Sequence, residues 1–559
     1  MNKRNFIFIG LFVFLSVFLG AGNAKAVSVG DIVNFNVDSG FDVSGRTQIS
    51  STLVKTGARL YFYVDKLWWD SQAQAKQSEI LVDLDNLSNE FDNNIYPKLT
   101  STFGLEWSPG IDNDSKITIL FQPMNSTEGG YFREADGYIK IQMPTSNERE
   151  MVYLSTLNIE SSNLKTVLGH EFTHLITFNQ KNKIFGVEED TWLNEARADY
   201  SSTILGYDDK YEGSNLQQRI KDFVENPSDS ITDWSGTKYD YASINLFTQY
   251  LVEHYGLNIL SDSLKSKLIG IESINQVFLR SGFGKNFAQV FTDWTITLAV
   301  NNCTENSGYC YSNQNLNSLR VNPTLIFLPL AGSSSLSATN ITKNWAGNWQ
   351  KIIGGSGNLK LEFSSLVGLN FQVPYILYDK DNSYSVKFLQ LDNNKKGEIN
   401  IQNFGTNYKS LIIIPSLQTK TSGFDGLDLI YPYSFTVSIT GNGTDPNQAL
   451  IQQLLAQIES LRKQIADILA QRGVPNPQSC SQISSDLYFG MQNNSEVSCL
   501  QGFLKNQGAD IYPEGLVTGN FGNLTKSAVI KFQTKYNIIQ TGFVGPLTRT
   551  QINKILNGG

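Results

Sequence analysis

The sequence predicts a multidomain chain: an α+β domain, a β-sandwich, a helical linker and a small all-α domain at the C-terminus. Three observations predict it. The 559 residues exceed what one hydrophobic core organises. Near Leu319 the apolar spacing changes from helical steps of three and four to alternation in short runs. Finally, Thr518-Gly519-Asn520-Phe521-Gly522-Asn523-Leu524-Thr525 is repeated as Thr541-Gly542-Phe543-Val544-Gly545-Pro546-Leu547-Thr548. These changes divide the chain into residues 1–26, 27–318 (mixed to 163, mainly helical from 164), 319–443, 444–475 and 476–559.

Lys3 and Arg4 precede an apolar run from Phe6 to Leu19, and Ala24-Lys25-Ala26 supplies a small-x-small cleavage signature, so residues 1–26 read as a secretory signal peptide. The run is short for a membrane span, and no later stretch is long and apolar enough to replace it. A secreted, extracellular or wall-associated chain is expected. Cleavage would remove three cations and no acid, taking the net charge from −8 to −11 and arguing against a nucleic-acid partner. The four cysteines fall into local pairs, Cys303 with Cys310 and Cys480 with Cys499. In an oxidising compartment these read as two disulfides.

In the mixed part, Val54 to Val64 reads as a strand with Leu60, Phe62 and Val64 on one face. The region from Asp70 to Leu99 reads as a helix capped by Asp70 or Ser71, with Ile80, Leu84, Leu87, Phe91 and Ile95 on its buried side. Ile117 to Phe121 and Glu150 to Leu154 read as strands. Ile111-Asp112-Asn113-Asp114 has the look of a calcium loop but reads as a plain turn, so Ca2+ is left without support.

A helix follows from Asn163 to about Phe178, with Leu164, Val167, Leu168, Phe172 and Leu175 as its buried side. It carries His170-Glu171-Phe172-Thr173-His174. Histidines four residues apart stand about one helical turn apart on one face, where both imidazoles reach a single divalent ion beside Glu171. A second helical segment holds Thr191 to Tyr200. Its Glu195 completes a two-histidine, one-carboxylate set with a fourth position open, as a catalytic zinc requires. Asp199 falls on the same face, placed to accept the free N–H of a ligating histidine, His170. Glu188 and Glu189 are rival ligands in an intervening loop that reads as polar, a poor support for a metal ligand.

These two motifs, H-E-x-x-H and then Asn194-Glu195-x-x-Ala198-Asp199, resemble those of the gluzincin, thermolysin-like metallopeptidases. The Trp192-Leu193-Asn194-Glu195 form is closer to the hyicolysin-like secreted peptidases. The resemblance covers roughly residues 140 to 260. It implies a zincin-like α+β catalytic domain with one Zn2+ on His170, His174 and Glu195, and Glu171 as general base. It also implies an edge strand, here Glu150 to Leu154, that pairs with an extended polypeptide substrate.

The oxyanion of amide hydrolysis calls for a donor, and a phenol can supply it. The stretch from Tyr239 to Phe247 resembles two segments of related peptidases, one choosing Tyr241 and the other Tyr239. His254, at helical spacing behind Leu246, Phe247 and Tyr250, reads as structural.

From 319 to 443, runs such as Leu359 to Phe363 and Ser434 to Ile439 alternate as sandwich strands, without a catalytic constellation. Asp445-Pro446 opens a helix in which Ile451, Leu454, Ile458, Leu461, Ile465 and Ile468 follow 3–4 spacing. The segment 446–472 is either a coiled coil for self-association or a spacer. At the C-terminus, Val497-x-x-Leu500-Gln501-x-Phe503-Leu504, the T-G-x-F-G turn and Ala528-Val529-x-x-Phe532-Gln533 resemble the type 1 peptidoglycan-binding domain. That implies peptidoglycan as a partner of residues 476–559. The expected whole is a secreted zinc endopeptidase held at the cell wall. The alternatives are a peptidoglycan hydrolase and a surface or adhesion protein whose zinc is only structural.

Overall fold

The computed structural model describes residues 27–441, apart from 126–128, 331 and 425–428, and residues 482–556, apart from 492–493, 509, 514, 516 and 537. The expected signal peptide, the 446–472 helix and Cys480 lie outside the described residues. Two compact units result, one ending at Gly443 and the other beginning at Thr444.

The first unit opens with β1 (Ile32–Asn36), β2 (Gln48–Thr56) and β3 (Leu60–Asp65). Leu60, Phe62 and Val64 share a buried face as expected, but Val54 belongs to the preceding strand. The chain reverses at Gly57, whose N–H donates to Leu60 O at 2.8 Å. Gly57 also lies against a helix, where an added Cβ would come within 2.1 Å of Ser88 Oγ. With β4 (Ile117–Gln122), β5 (Gly130–Phe132) and β6 (Met151–Ser155), the sheet order is β1-β2-β3-β4-β6-β5.

Both faces of this sheet are covered. Ile119 and Phe121 enter the main core while Leu120 enters a smaller cluster behind it, which explains the unbroken apolar run of β4. The edge strand is β5, not β6: β6 pairs parallel with β4 on one side and antiparallel with β5 on the other. A three-residue strand opening on glycine is too short for an alternation signal, so β6 reads from sequence as the border.

The helical region past Asp65 also differs from expectation. Asp65, not Asp70 or Ser71, caps α1 (Lys66–Ser71), accepting from Trp68 N–H. The chain is extended at Gln72 before α2 (Gln74–Glu90) begins. The expected apolar row is fully buried, yet from Leu87 through Phe91 and Ile95 to Leu99 it advances four residues at a time. In an α-helix each such step overshoots a turn by about 40°. A π-helical turn over Phe91–Ile95 winds more slowly and absorbs the drift before α3 (Tyr96–Phe103).

Seven further helices build the rest of this core: α4 (Leu164–Phe178), α5 (Thr191–Leu205), α6 (Asn215–Glu225), α7 (Lys238–Tyr255), α8 (Asn258–Ser263), α9 (Gly270–Ser281) and α10 (Phe287–Val300). The Cys303–Cys310 disulfide follows α10. Cys499 is also disulfide-bonded.

Residues 324–440 form a large β-sheet domain. One set of strands is 334–342, 431–440, 357–365 and 396–404, and the other is 384–388, 374–379, 408–413, 350–354 and 324–328. A single residue pair, Phe404 with Tyr408, links them, so they act as two layers. Leu377, Leu411 and Ile413 face the other layer, whereas Ile376, Ile412 and Ile414 join the core of the helical part. Period-two alternation thus buries both sides of this layer. Trp349 Nε1 donates to Thr295 O on α10 at 2.9 Å, tying the sheet domain to the helices.

In the second unit, helices Ser495–Asn506, Asn523–Lys535 and Pro546–Leu556 surround a core of Val497, Leu500, Phe503, Val529, Phe532 and Ile552. Thr525 and Thr548 each fall in the first turn of a helix, where a buried glutamine binds the hydroxyl. Gln501 Nε2 donates to Thr525 Oγ1 at 2.8 Å while its Oε1 accepts from Thr518 N–H and Gly519 N–H. Gln533 binds Thr548 Oγ1 and Gly542 N–H in the same manner. Each buried glutamine therefore fastens one Thr-Gly turn.

Candidate metal centre

The α4 helix turns Leu164, Leu168, Phe172 and Leu175 into the core. Val167, half-buried, packs against the same core and also lines the cleft on the histidine side. Helix α5 packs closely beside α4 because residue 169 is glycine: a Cβ there would come within 2.7 Å of Leu205 Cδ1. That closeness brings Glu195 to the histidines.

His170 Nε2 lies 3.2 Å from His174 Nε2 and 3.2 Å from Glu195 Oε2, and His174 Nε2 lies 3.5 Å from Glu195 Oε1. Donors bound tetrahedrally at 2.0–2.1 Å would stand about 3.3–3.4 Å apart, so this triangle fits one ion of zinc's size. Among the described residues this is the sole group of three or more His, Cys, Asp or Glu side chains suited to a metal. The donor set fits zinc in kind as well, with two imidazoles and a carboxylate.

Charge is coupled across the triangle. Burial disfavours an imidazolium at His174, but Glu195, Glu171 and the Asn194 side chain outweigh it and raise the group to about 9. Burial likewise disfavours charge on Glu195, yet the two imidazoles hold its carboxyl well below the usual range.

A cleft of ≈ 660 Å³ opens beside these donors. Gly129, Gly130, Val167, His170, Glu171, Asp199, Arg219 and Tyr241 are among its walls. Glu171 is buried in that wall. The Tyr241 ring centroid is 6.3 Å from that of His170 and 4.9 Å from that of Trp234, and the Arg219 guanidinium lies 4.8 Å above it. Burial raises the Tyr241 phenol above its ordinary range, and the charges of Glu195, Glu171 and Asp199 raise it further against the opposing pull of Arg219. It remains an O–H donor at neutral pH. Tyr239 turns away, its hydroxyl donating to Glu225 at 3.3 Å.

Asp199 does lie in the cleft wall, but its carboxylate serves other partners than His170. Arg219 grips it through Nε and Nη2 at 2.6–3.2 Å, and Asn215 and Asn245 donate to it at 3.2 and 2.7 Å. An arginine fork on the next helix outcompetes a single imidazole N–H. Arg219, Asn215 and Asn245 carry no motif spacing and went unread. So did Glu134, whose carboxyl burial and Glu188 push up to about 7 while the His174 charge draws it down.

The rival ligand Glu189 lies in the loop before α5 but is buried there. It faces Arg197 at 2.9 Å and Lys181 at 3.6 Å, and accepts Gly270 N–H at 2.7 Å. Glu188 is exposed. His254 is structural, with Nε2 at 2.9 Å from Cys310 O. The acids of Ile111–Asp114 are occupied by the turn: Asp112 accepts Asp114 N–H, and Asp114 accepts Lys116 N–H and the Tyr61 hydroxyl.

Together the fold and site define a chain with a candidate metal centre in a cleft, followed by a large β-sheet domain and a small helical unit. Residues 493–552 match the family model described as "Putative peptidoglycan binding domain". Over 191 residues the chain is 30% identical to the neutral metalloprotease ShpI of Staphylococcus hyicus, covering 30% of this chain and 41% of that protein. The chain therefore aligns with about two fifths of that relative's length. Among solved structures, the pre-peptidase C-terminal domain of a Bacillus anthracis collagenase matches 21% of the chain and 96% of its own length, at 10% identity and TM-score 0.14. The Yersinia pseudotuberculosis-derived mitogen matches 20% and 92%, at 12% identity and TM-score 0.15. No helix among the described residues is long and apolar enough to cross a membrane.

Proposed function

We infer that the protein is a zinc endopeptidase of the gluzincin type, secreted by way of residues 1–26 and held at the cell wall by its C-terminal unit. The convergence of His170, His174 and Glu195 to a 3.2–3.5 Å triangle, beside a buried Glu171, carries this reading. A metalloprotease relative and the peptidoglycan-binding match support it. A zinc ion at this triangle would supply Lewis acidity toward a scissile carbonyl and a lowered pKa for water.

The chain's own residues do the rest. Glu171, next to His170, takes the proton of the attacking water and passes it to the leaving amine. Tyr241 donates its O–H to the oxyanion, and Arg219 against the ring holds it in place. Asp199, gripping Arg219, fixes that support. The β5 edge beside the cleft offers backbone to an extended polypeptide. A structural zinc site would have no use for Glu171.

The wall-binding match also favours one rival, a peptidoglycan hydrolase. Incubating the protein with casein and with purified sacculi, each with and without chelator and zinc readdition, separates the two. Chelator-sensitive cleavage of casein is expected. Release of sacculus fragments with casein intact would replace the endopeptidase reading by the hydrolase.

A further inference from the structure

Among the described residues of the second unit, three aromatic rings stand outside the core. Leu487 and Val544 exchange backbone hydrogen bonds of 3.3 and 2.9 Å in an antiparallel bridge, and both side chains are fully buried. Alternation turns their neighbours outward, leaving Tyr488 55% and Phe543 38% exposed. The register of the bridge sets Tyr488 across from Phe543. A little further on, Gly490 N–H donates to Phe521 O at 2.9 Å, and Phe521 N–H donates to Met491 O at 2.8 Å. The segment 487–491 therefore lies across both repeated Thr-Gly turns, with Leu487 inside and Tyr488 and Phe489 outside; Phe489 is 54% exposed.

Two details show these rings to be accommodated by their surroundings. Residue 545 is glycine, and a Cβ there would come within 2.6 Å of Phe543 Cε1, so the ring occupies the place of that missing side chain. Lys526 Nζ stands 5.8 Å from the Phe489 ring centroid. Its stem passes Gly542, where a Cβ would meet Cγ at 2.7 Å. Beneath them the core is already filled by Leu487, Phe521, Val529, Phe532 and Val544. Exposed rings grouped with polar neighbours mark an interaction surface rather than a packing remainder.

The negative face of an aromatic ring attracts the partly positive C–H groups on the face of a sugar ring, and its flat apolar area is covered in the same contact. We propose that Tyr488, Phe489 and Phe543, brought together by the 487–491 segment across the two turns, form the platform on which this unit takes the glycan strand of peptidoglycan. This rests on the wall-binding reading above. Tyr488 and Phe489 lie outside the matched residues 493–552, so the match does not assign them a role.

The test is sedimentation of the full-length protein with purified sacculi, over a range of sacculus concentrations. The Tyr488→Ala/Phe489→Ala variant is expected to lose affinity at least about tenfold, as truncating a binding hot spot does. Tyr488→Trp/Phe489→Tyr, which keeps both rings, is expected to bind as wild type and guards against a folding defect. Leu279→Ala, an exposed apolar residue of the first unit, serves as control and should bind normally. Binding by wild type and undiminished binding by the alanine variant would overturn the platform while leaving wall attachment intact. Failure of wild type to sediment would overturn wall attachment itself and the platform with it.

Discussion

Replacing Glu189 by glutamine removes the carboxylate that faces two buried cations. Side-chain exposure is 1% for Glu189 and 0% for both Lys181 and Arg197. Breaking a buried ion pair by deleting one partner costs about 3–5 kcal/mol, a large part of the 5–15 kcal/mol typical of a folded domain. The full penalty applies only while both cations stay charged. Burial already lowers Lys181 to about 8, with Glu189 drawing it up and Arg197 pressing it down. Without Glu189 the upward pull is gone, so Lys181 sheds its proton at lower pH and the penalty shrinks between pH 6 and 8. Lys181 holds its proton less tightly in the folded than in the unfolded chain, so its stability contribution is present above about 10.5 and is lost as pH falls through about 8.

Arg197→Met leaves one cation against one anion and is expected to cost less than Glu189→Gln. The double variant should lose less than the sum of the two. Urea unfolding followed by tryptophan fluorescence measures this, because all eight tryptophans lie between residues 68 and 349 and report the first unit. A Glu189→Gln loss below about 1 kcal/mol at pH 6 would refute the reasoning. So would a folded variant unable to hold metal, since Glu189 would then be a ligand.

Two further outcomes are expected. Glu150 is raised to about 7 by burial, against the hydrogen bond from Ile111 N–H. It holds its proton more tightly folded than unfolded, so its contribution is full below about 4.5 and is lost as pH rises through about 7. Between pH 5 and 8 wild type should lose about 2–3 kcal/mol more than Glu150→Gln, and a pH-independent difference in urea unfolding would contradict this. In steady-state peptide cleavage, Tyr241→Phe should lower kcat about a hundredfold with little change in KM, while Tyr239→Phe stays near wild type; equal effects would remove Tyr241 from the site.

The grouping of His170, His174 and Glu195 was legible because it follows local period. His170 and His174 share a helix face by spacing alone, and Glu195 stands on a second regular helix. What surrounds them was not legible, because it depends on which helices meet. The grip of Arg219 on Asp199 joins α6 to α5 across twenty residues, and no spacing rule marks it. Glu189 misled for a related reason: a loop rich in charge reads as solvent-facing, but tertiary packing against 260–270 buries Lys181, Glu189 and Arg197 together. The edge of the sheet was misread because β5 is three residues long. In the second unit the repeat was visible in its turns, while the glutamines that fasten them, Gln501 and Gln533, were read only as part of a pattern.

Metal binding and proton transfer fall to different side chains, so zinc content and casein cleavage are to be measured together on wild type and Glu171→Gln. Wild type is expected to hold one zinc per chain and cleave casein in a chelator-sensitive way. The variant is expected to hold the same zinc and cleave at a rate indistinguishable from background. A variant that still cleaves, or that loses activity only because it has lost zinc, would contradict the role given to Glu171. A wild-type chain without zinc would contradict the metal centre.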